Sequence, residues 1–247
     1  MNLELKNAAT GAKVENCLLT ASNLWNTPLS LWGLSRIDIP EDAEILDIGC
    51  CGGKNLERLT KLAPKGHVSG MDESFRAVDF AFRLNEEAIG EGRCQVYEGS
   101  ADILPFGAGK FDLVVVEDTF FFWEDPAKCF KEISRVMKAE GKILLLLSKG
   151  GLAPLDKFFA ALIPGMQAYG RDDIRDLLED AGFRDVETAS RLGALVVTAV
   201  KPLSLPARAK RRLNLPDTIP YSKLAVAALG VLALGAAAAA AASKKKE

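Results

Sequence analysis

Apolar residues along the chain fall into short unbroken runs separated by stretches of helical periodicity. Strands are predicted over 44–48, 67–71, 95–97, 113–116 and 143–147, and the runs LVVV and ILLLL show no polar alternation. Strands buried on both faces read this way, as in a parallel sheet covered by helices. The intervening segments 55–62, 74–88 and 126–137 read as helices. Such alternation implies βαβ units with right-handed crossovers. After Ser148 the rhythm changes. Residues 149–170 form an insertion with a short apolar helix candidate over 155–163, followed by a helix near 172–181. Asp172 and Asp173 suit the positive end of that helix and Gly182 suits its cap. Two strands, 183–189 and 194–200, then follow closely enough for an antiparallel hairpin, with Arg191, Leu192 and Gly193 between them.

The flanks differ from this body. Residues 1–35 make a partly helical preamble carrying Leu18, Leu19, Leu24, Trp25, Leu29, Leu31, Trp32 and Leu34, and its polar start lacks the apolar core of a signal peptide. The globular part, 36–202, gives way at 203–223 to a basic, proline-containing linker with Arg208, Lys210, Arg211 and Arg212. Residues 224–242 are uncharged: eleven Ala, four Leu, two Val and two Gly, closed by a lysine tail at 243–247. As a helix they would span about 28 Å, close to a bilayer core of about 30 Å, so a C-terminal transmembrane helix is the expectation.

Composition narrows the classes. With 49% apolar and 26% charged residues the chain is neither disordered nor a fibrous repeat. The net charge of −2 divides unevenly: residues 203–247 hold eight Lys/Arg against two acids, which leaves 1–202 at −8. A body that acidic is not expected to bind nucleic acid. Five cysteines without a CxxC pair, and a single His67, offer no zinc set, and no metal is expected. Reduced thiols suit a cytoplasmic domain.

The densest chemical signal is EILDIGCCGGKN, residues 44–55, an apolar strand that ends in an acid and runs into a glycine-rich turn opening a helix. Glycines there let a ligand approach the backbone. The acid would repel a phosphate, and the spacing is not that of a dinucleotide fingerprint. This segment resembles the first motif of the class I S-adenosylmethionine-dependent methyltransferases, acidic-x-Gly-x-Gly-x-Gly, matched by Asp47, Gly49, Cys51 and Gly53. Further similarities follow in order: Asp72 in VSGMDES, GSADILPF at 99–106, FDLVVVED at 111–118, the stretch 131–146 and LLEDAGF at 177–183. The resemblance implies a Rossmann-like α/β fold: a mostly parallel seven-stranded sheet with a C-terminal antiparallel hairpin and helices on both faces. It also implies S-adenosyl-L-methionine as cofactor. Asp47, Gly49, Cys51 and Gly53 would cradle its methionine portion, Asp72 its ribose, and Ser100 and Ala101 its adenine.

On the acceptor side, candidates follow the fourth strand at the sheet edge where ligands bind in open α/β folds. Glu117 and Asp118 are catalytic candidates, and the aromatic run that includes Phe120, Phe121 and Trp123 is a candidate acceptor pocket. The insertion 149–170 is a candidate lid. Cys51 replaces the motif's middle glycine and Ser100 its usual Asp. These two departures support an alternative, a non-catalytic cofactor-binding or scaffold protein. The leading expectation is methyl transfer to a small molecule, lipid- or quinone-like, by a cytoplasmic domain tethered through its C-terminal segment. The sequence leaves the oligomeric state open.

Overall fold

Alternate residues of the central strands feed two separate cores, which explains why their sequences read as unbroken apolar runs. The computed structural model describes residues 19–148, other than 22 and 25, and 165–203. The first part of the preamble, most of the 149–170 insertion and the tail segments beyond 203, including 224–242, lie outside the described residues. The chain divides into two compact units, 1–201 and 202–247, and the described residues belong to the first except for Pro202 and Leu203.

In chain order the elements are α1 (Thr27–Leu34), β1 (Glu44–Ile48), α2 (Lys54–Leu62), β2 (His67–Asp72), α3 (Phe75–Leu84), α4 (Glu86–Gly90), β3 (Cys94–Glu98) and β4 (Phe111–Glu117). A 3-10 turn at Phe120–Phe122 leads into α5 (Pro126–Val136) and β5 (Met137–Leu147), then α6 (Arg171–Asp180), β6 (Arg184–Arg191) and β7 (Ala194–Val200). The seven strands lie in the order β3-β2-β1-β4-β5-β7-β6. Pairing is parallel from β3 to β5 and antiparallel for β5–β7 and β7–β6. The expected sheet is therefore the observed one.

Leu46, Ile48, Val114, Val116, Ile143 and Leu145 pack on one face with Phe130 and Ile133 of α5 and Leu178 of α6. Ile45, Val68, Leu113, Val115, Leu144 and Leu146 pack on the other with Leu56 and Leu59 of α2 and Ala81 of α3. α1 joins this second face. A Cβ on Gly33 would stand 2.0 Å from Leu146 Cδ2, so glycine allows the helix to press onto β5.

Three local expectations are corrected. The helix expected over 74–88 is broken at Asn85 (φ −110°, ψ 18°), whose amide donates to Gly53 O at 3.0 Å and Ala81 O at 2.8 Å. The residue serves a tie to the glycine turn rather than helical continuity. β5 begins earlier than expected, because residues 138–141 form an irregularity between the Phe111–Met137 and Leu113–Lys142 pairs. Glu140 takes φ +69° there, and its N–H donates to Lys201 O at 2.7 Å. In the hairpin, Arg191 pairs with Ala194, which leaves a two-residue turn of Leu192 (φ +50°) and Gly193 (φ +87°). Two left-handed residues match the strand twist.

Candidate active site

The carboxyl ends of β1, β2 and β4 are level, with Ile48 registered against both Met71 and Val116. The loops after these strands therefore converge. The turn after β1 carries three left-handed residues: Gly49 (φ +74°), Cys51 (φ +49°) and Gly53 (φ +74°). A Cβ on Gly49 would stand 2.0 Å from Thr119 Cγ2, and one on Gly53 would stand 2.7 Å from Ala81 Cα. Gly49 thus permits contact with the loop after β4, and Gly53 permits close packing of α2 on α3. Cys51 adopts the same conformation with a side chain, a strain of about 1–2 kcal/mol for an L-residue. Its backbone N–H donates to Asp72 Oδ2 at 3.0 Å, which helps to hold it there. Asp72 Oδ1 accepts from Ser74 N at 2.9 Å.

Two clefts meet at Gly49 and Thr119. The first, about 160 Å³, has Asp72 and Glu73 on one side and Ile48, Met71, Gly99, Ala101, Phe122 and Trp123 around the rest. The second, about 120 Å³, runs under the turn past Asp47, Cys51, Arg58, Glu117 and Asp118 to Asn23 and Asn26 at the amino end of α1. One is mainly apolar with an acidic rim. The other mixes acids with cationic and amide donors.

The acids of the second cleft are unusual. Asp47 is 1% exposed, and its Oδ2 has no hydrogen-bond partner among the described residues. Its other oxygen accepts from Asn55 Nδ2 at a long 3.5 Å. Burial pushes its pKa up to about 7; Asp72's charge adds to this, against the Asn55 bond and Arg58. Glu117 is pushed up to about 8, chiefly by burial and also by the charges of Asp47 and Asp118. The Ser30 hydroxyl, 2.7 Å from Glu117 Oε1, and Arg58 oppose that shift. Asp118, at φ +51°, accepts from Ser148 N at 2.7 Å and so anchors the end of β5.

Of the sequence candidates, Asp47, Gly49, Cys51, Glu117 and Asp118 line the second cleft, and Gly49, Asp72, Ala101 and Trp123 line the first. Gly53 and Ser100 line neither. Phe120 and Phe121 are buried in the core, stacked with centroids 4.6 Å apart, whereas half-exposed Phe122 faces the first cleft. His67 is half-buried with Nδ1 unpartnered among the described residues, and burial lowers its pKa. Among the described residues no group of three or more His, Cys, Asp or Glu is arranged to hold a metal.

Sequence reasoning missed the contribution of the preamble. Asn23 Nδ2 donates to Gly52 O at 2.9 Å, and Arg58 of α2 donates to Thr27 Oγ1. With Ser30, these contacts bring the preamble against the glycine turn. No spacing rule links it to a turn this far along the chain.

The family model described as a methyltransferase domain matches residues 46–145, the stretch that runs from β1 into β5. A Bacillus subtilis protein named as methyltransferase YrhH is 27% identical over 197 residues, covering 76% of this chain and 99% of that protein. The chloroplast 2-methyl-6-phytyl-1,4-hydroquinone methyltransferase of Arabidopsis thaliana is 28% identical over 216 residues, covering 78% of this chain and 60% of its own. Among solved structures, phosphoethanolamine N-methyltransferase 2 of Haemonchus contortus, in complex with S-adenosyl-L-methionine, has a TM-score of 0.62 at 18% identity. That match covers 72% of this chain and 53% of the other and reflects the shared fold. The sequence similarity and the strand order agree over the same stretch. Residues 46–145 are a methyltransferase domain, and over this stretch the chain is similar to the class I S-adenosylmethionine-dependent methyltransferases, whose cofactor is S-adenosylmethionine.

Proposed function

We propose that this enzyme methylates a small, largely apolar acceptor, lipid- or quinone-like, with the cofactor lying along the two clefts. The observation that carries the reading is their chemical division about Gly49 and Thr119. An amino-acid group suits the second cleft, where the orphaned Asp47 Oδ2 needs a donor and Arg58 offers one to a carboxylate. A ribose suits the neighbourhood of Asp72, whose oxygens retain acceptor capacity beyond their two backbone bonds. An adenine ring suits the apolar wall containing Met71 and Ala101, with Ser100 next in the chain. The turn from Gly49 through Cys51 to Gly53 would carry the methionine portion. Since Cys51 already turns within the left-handed region, the missing glycine does not abolish the turn.

The bound cofactor supplies an activated methyl group on a positively charged sulfur. This chain's part is positioning and exclusion of water. Phe122 and Trp123 give the first cleft an aromatic side on which an apolar acceptor could rest. Phe120 and Phe121 fix that side from beneath through the core. Glu117 is held towards Ser30 and Asp118 towards Ser148 N, which supports positioning roles for both rather than proton abstraction from the acceptor. The hydroquinone methyltransferase among the relatives is consistent with an aromatic, lipid-soluble acceptor.

Tethering is part of the proposal on sequence grounds: the uncharged 224–242 segment and the basic residues before it suit a membrane-proximal enzyme. Among the described residues no helix is long and apolar enough to cross a membrane. The test is transfer of labelled methyl from S-adenosylmethionine to a panel of hydroquinones, phospholipids and water-soluble amines. Labelling confined to the water-soluble amines would overturn the acceptor assignment. Recovery of the full chain entirely in the soluble fraction of its expressing cells would overturn the tether.

A further inference from the structure

We propose that Glu117 is a proton-exchanging positioning residue for the cofactor's ammonium group, and that the Ser30 hydroxyl is the adaptor that accommodates both of its charge states. The inference rests on the cofactor placement proposed above and adds a linkage that the placement alone does not contain.

Ser30 is fully buried, and its Oγ lies 2.7 Å from Glu117 Oε1 and 3.0 Å from Asn26 O. A hydroxyl has one proton to give and lone pairs with which to accept. When Glu117 is neutral, its O–H donates to Ser30 Oγ, and the Ser30 proton turns to Asn26 O. When Glu117 is ionised, Ser30 turns its proton to the carboxylate. Asn26 O then still accepts from Ser30 N at 2.9 Å. Both states are satisfied by rotation of one hydroxyl, without displacement of α1.

The surroundings favour the neutral state until a cation arrives. β1 presents Asp47 and the loop after β4 presents Asp118, both of which oppose a charge on Glu117. α2 presents Arg58, whose charge favours it, and Lys54, which already pairs with Glu57. Burial holds Glu117 up to about 8 and Asp47 up to about 7, so near neutral pH the pair carries at least one proton. An ammonium ion entering between them reverses the balance. The neutral carboxylic acid releases its proton to solvent, and the resulting carboxylate pairs with the ammonium, which keeps its own protons. Arg58 and Asn26, lining the same cleft, remain available for the ligand's carboxylate. The cleft is thus matched to a zwitterion, and filling it expels a proton.

The test is calorimetric titration of the full chain between pH 6 and 7.5, in buffers of different ionisation enthalpy. The probe is S-adenosylhomocysteine, which has the ammonium group but no transferable methyl. 5′-Methylthioadenosine, which lacks the amino-acid group, is the comparison. Below about pH 7.5 most of the ligand's ammonium stays charged, so a pH trend there belongs mainly to the protein. The expected result is release of about one proton per S-adenosylhomocysteine near pH 7, with affinity rising about tenfold per pH unit at the lower end of the range. 5′-Methylthioadenosine should release none. Glu117→Gln should still bind S-adenosylhomocysteine but lose most of the release, keeping only the Asp47 share. Ser30→Ala, which removes the donor to the ionised state, should move the affinity profile to higher pH. Binding of both nucleosides without proton release would overturn the linkage and leave the cofactor placement standing. Release unchanged in Glu117→Gln would overturn the assignment to this residue. No binding of either nucleoside to the folded wild type would overturn the placement and the linkage together.

Discussion

The two edges of the parallel sheet treat their carboxylates in opposite ways. At the amino edge, Asp112 accepts from Glu44 N at 2.9 Å and from the Lys138 ammonium at 2.7 Å, in a half-exposed setting. At the carboxyl edge, Asp47 keeps an oxygen without a partner among the described residues, and Glu117 accepts from the Ser30 hydroxyl. Left-handed residues gather at the second edge as well, in Gly49, Cys51, Gly53 and Asp118. A site meant to receive a ligand retains polar groups that folding alone does not satisfy. The Asp112 carboxylate at the amino edge is satisfied by folding, whereas Asp47 at the carboxyl edge awaits a partner.

The sharpest way to break this contrast is at Gly49. An added methyl would meet Thr119 at 2.0 Å in a conformation, φ +74°, that side chains rarely adopt. Gly49→Ala should lower cofactor affinity by more than about a hundredfold and stability by about 1–3 kcal/mol, both strain and overpacking contributing. A thermal scan beside a binding titration checks both. Wild-type affinity in a folded Gly49→Ala protein would mean that the turn does not approach the ligand.

Asp72 comes next. Its carboxylate serves the turn through Cys51 N and the start of α3 through Ser74 N. Asp72→Ala should lower affinity for S-adenosylhomocysteine about tenfold to a hundredfold, the scale of about 1.5–3 kcal/mol for hydrogen bonds to a charged group. Adenine, which has no ribose, should bind the variant and the wild type alike if the placement is right. An equal loss for both would point to collapse of the turn.

Much of this fold was legible because the sheet is buried on both faces, so that strands such as Leu113–Val116 had no reason to alternate. The hairpin was legible from the Gly193 turn, although Arg191 proved to belong to its first strand. The break at Asn85 was not legible, because its cause is a carbonyl 32 residues earlier in the chain. Of the residues that the family resemblance implied, Asp47, Gly49, Cys51, Asp72 and Ala101 line the clefts. Gly53 and Ser100, implied with them, do not. Ser30 was beyond the reach of the resemblance. Its partner Glu117 is 87 residues away, and only the packing of α1 on the sheet joins them.

A smaller effect sharpens the electrostatic side of the comparison. For Asp47 and Glu117 the folded pKa values, about 7 and about 8, lie above the ordinary carboxylate values of 3.8 and 4.5. The unfolded chain therefore binds fewer protons between about pH 4 and 8, and these groups lower the stability of the ligand-free protein as pH rises through that window. His67, whose pKa is lowered by burial, acts in the opposite direction, so the wild-type curve alone mixes the two. The difference between Glu117→Gln and wild type separates them. It should be near zero at pH 4.5 and grow to about 1–2 kcal/mol in favour of the variant at pH 8, well below the full linkage value because the site is partly open to solvent. Denaturant titration at the two pH values checks this.

The smallest expected effect belongs to the amino edge. Lys138 and Asp112 are half-exposed, with side chains 41% and 33% accessible, so their ion pair is weak. Asp112 would still hold Glu44 N if the lysine were removed. Lys138→Ala should therefore cost about 0.5 kcal/mol or less and leave cofactor affinity unchanged, with the loss shrinking further in high salt. The register of β1 against β4 explains the insulation. Asp112 lies near the start of β4, whereas Asp47 pairs with Val115 and Glu117 ends the strand, so the apolar residues 113–116 separate the two carboxylates in sequence. A clear change in S-adenosylhomocysteine affinity on losing Lys138 would show that the two edges are coupled through β4, and that the amino edge helps to set the charge of the carboxyl edge.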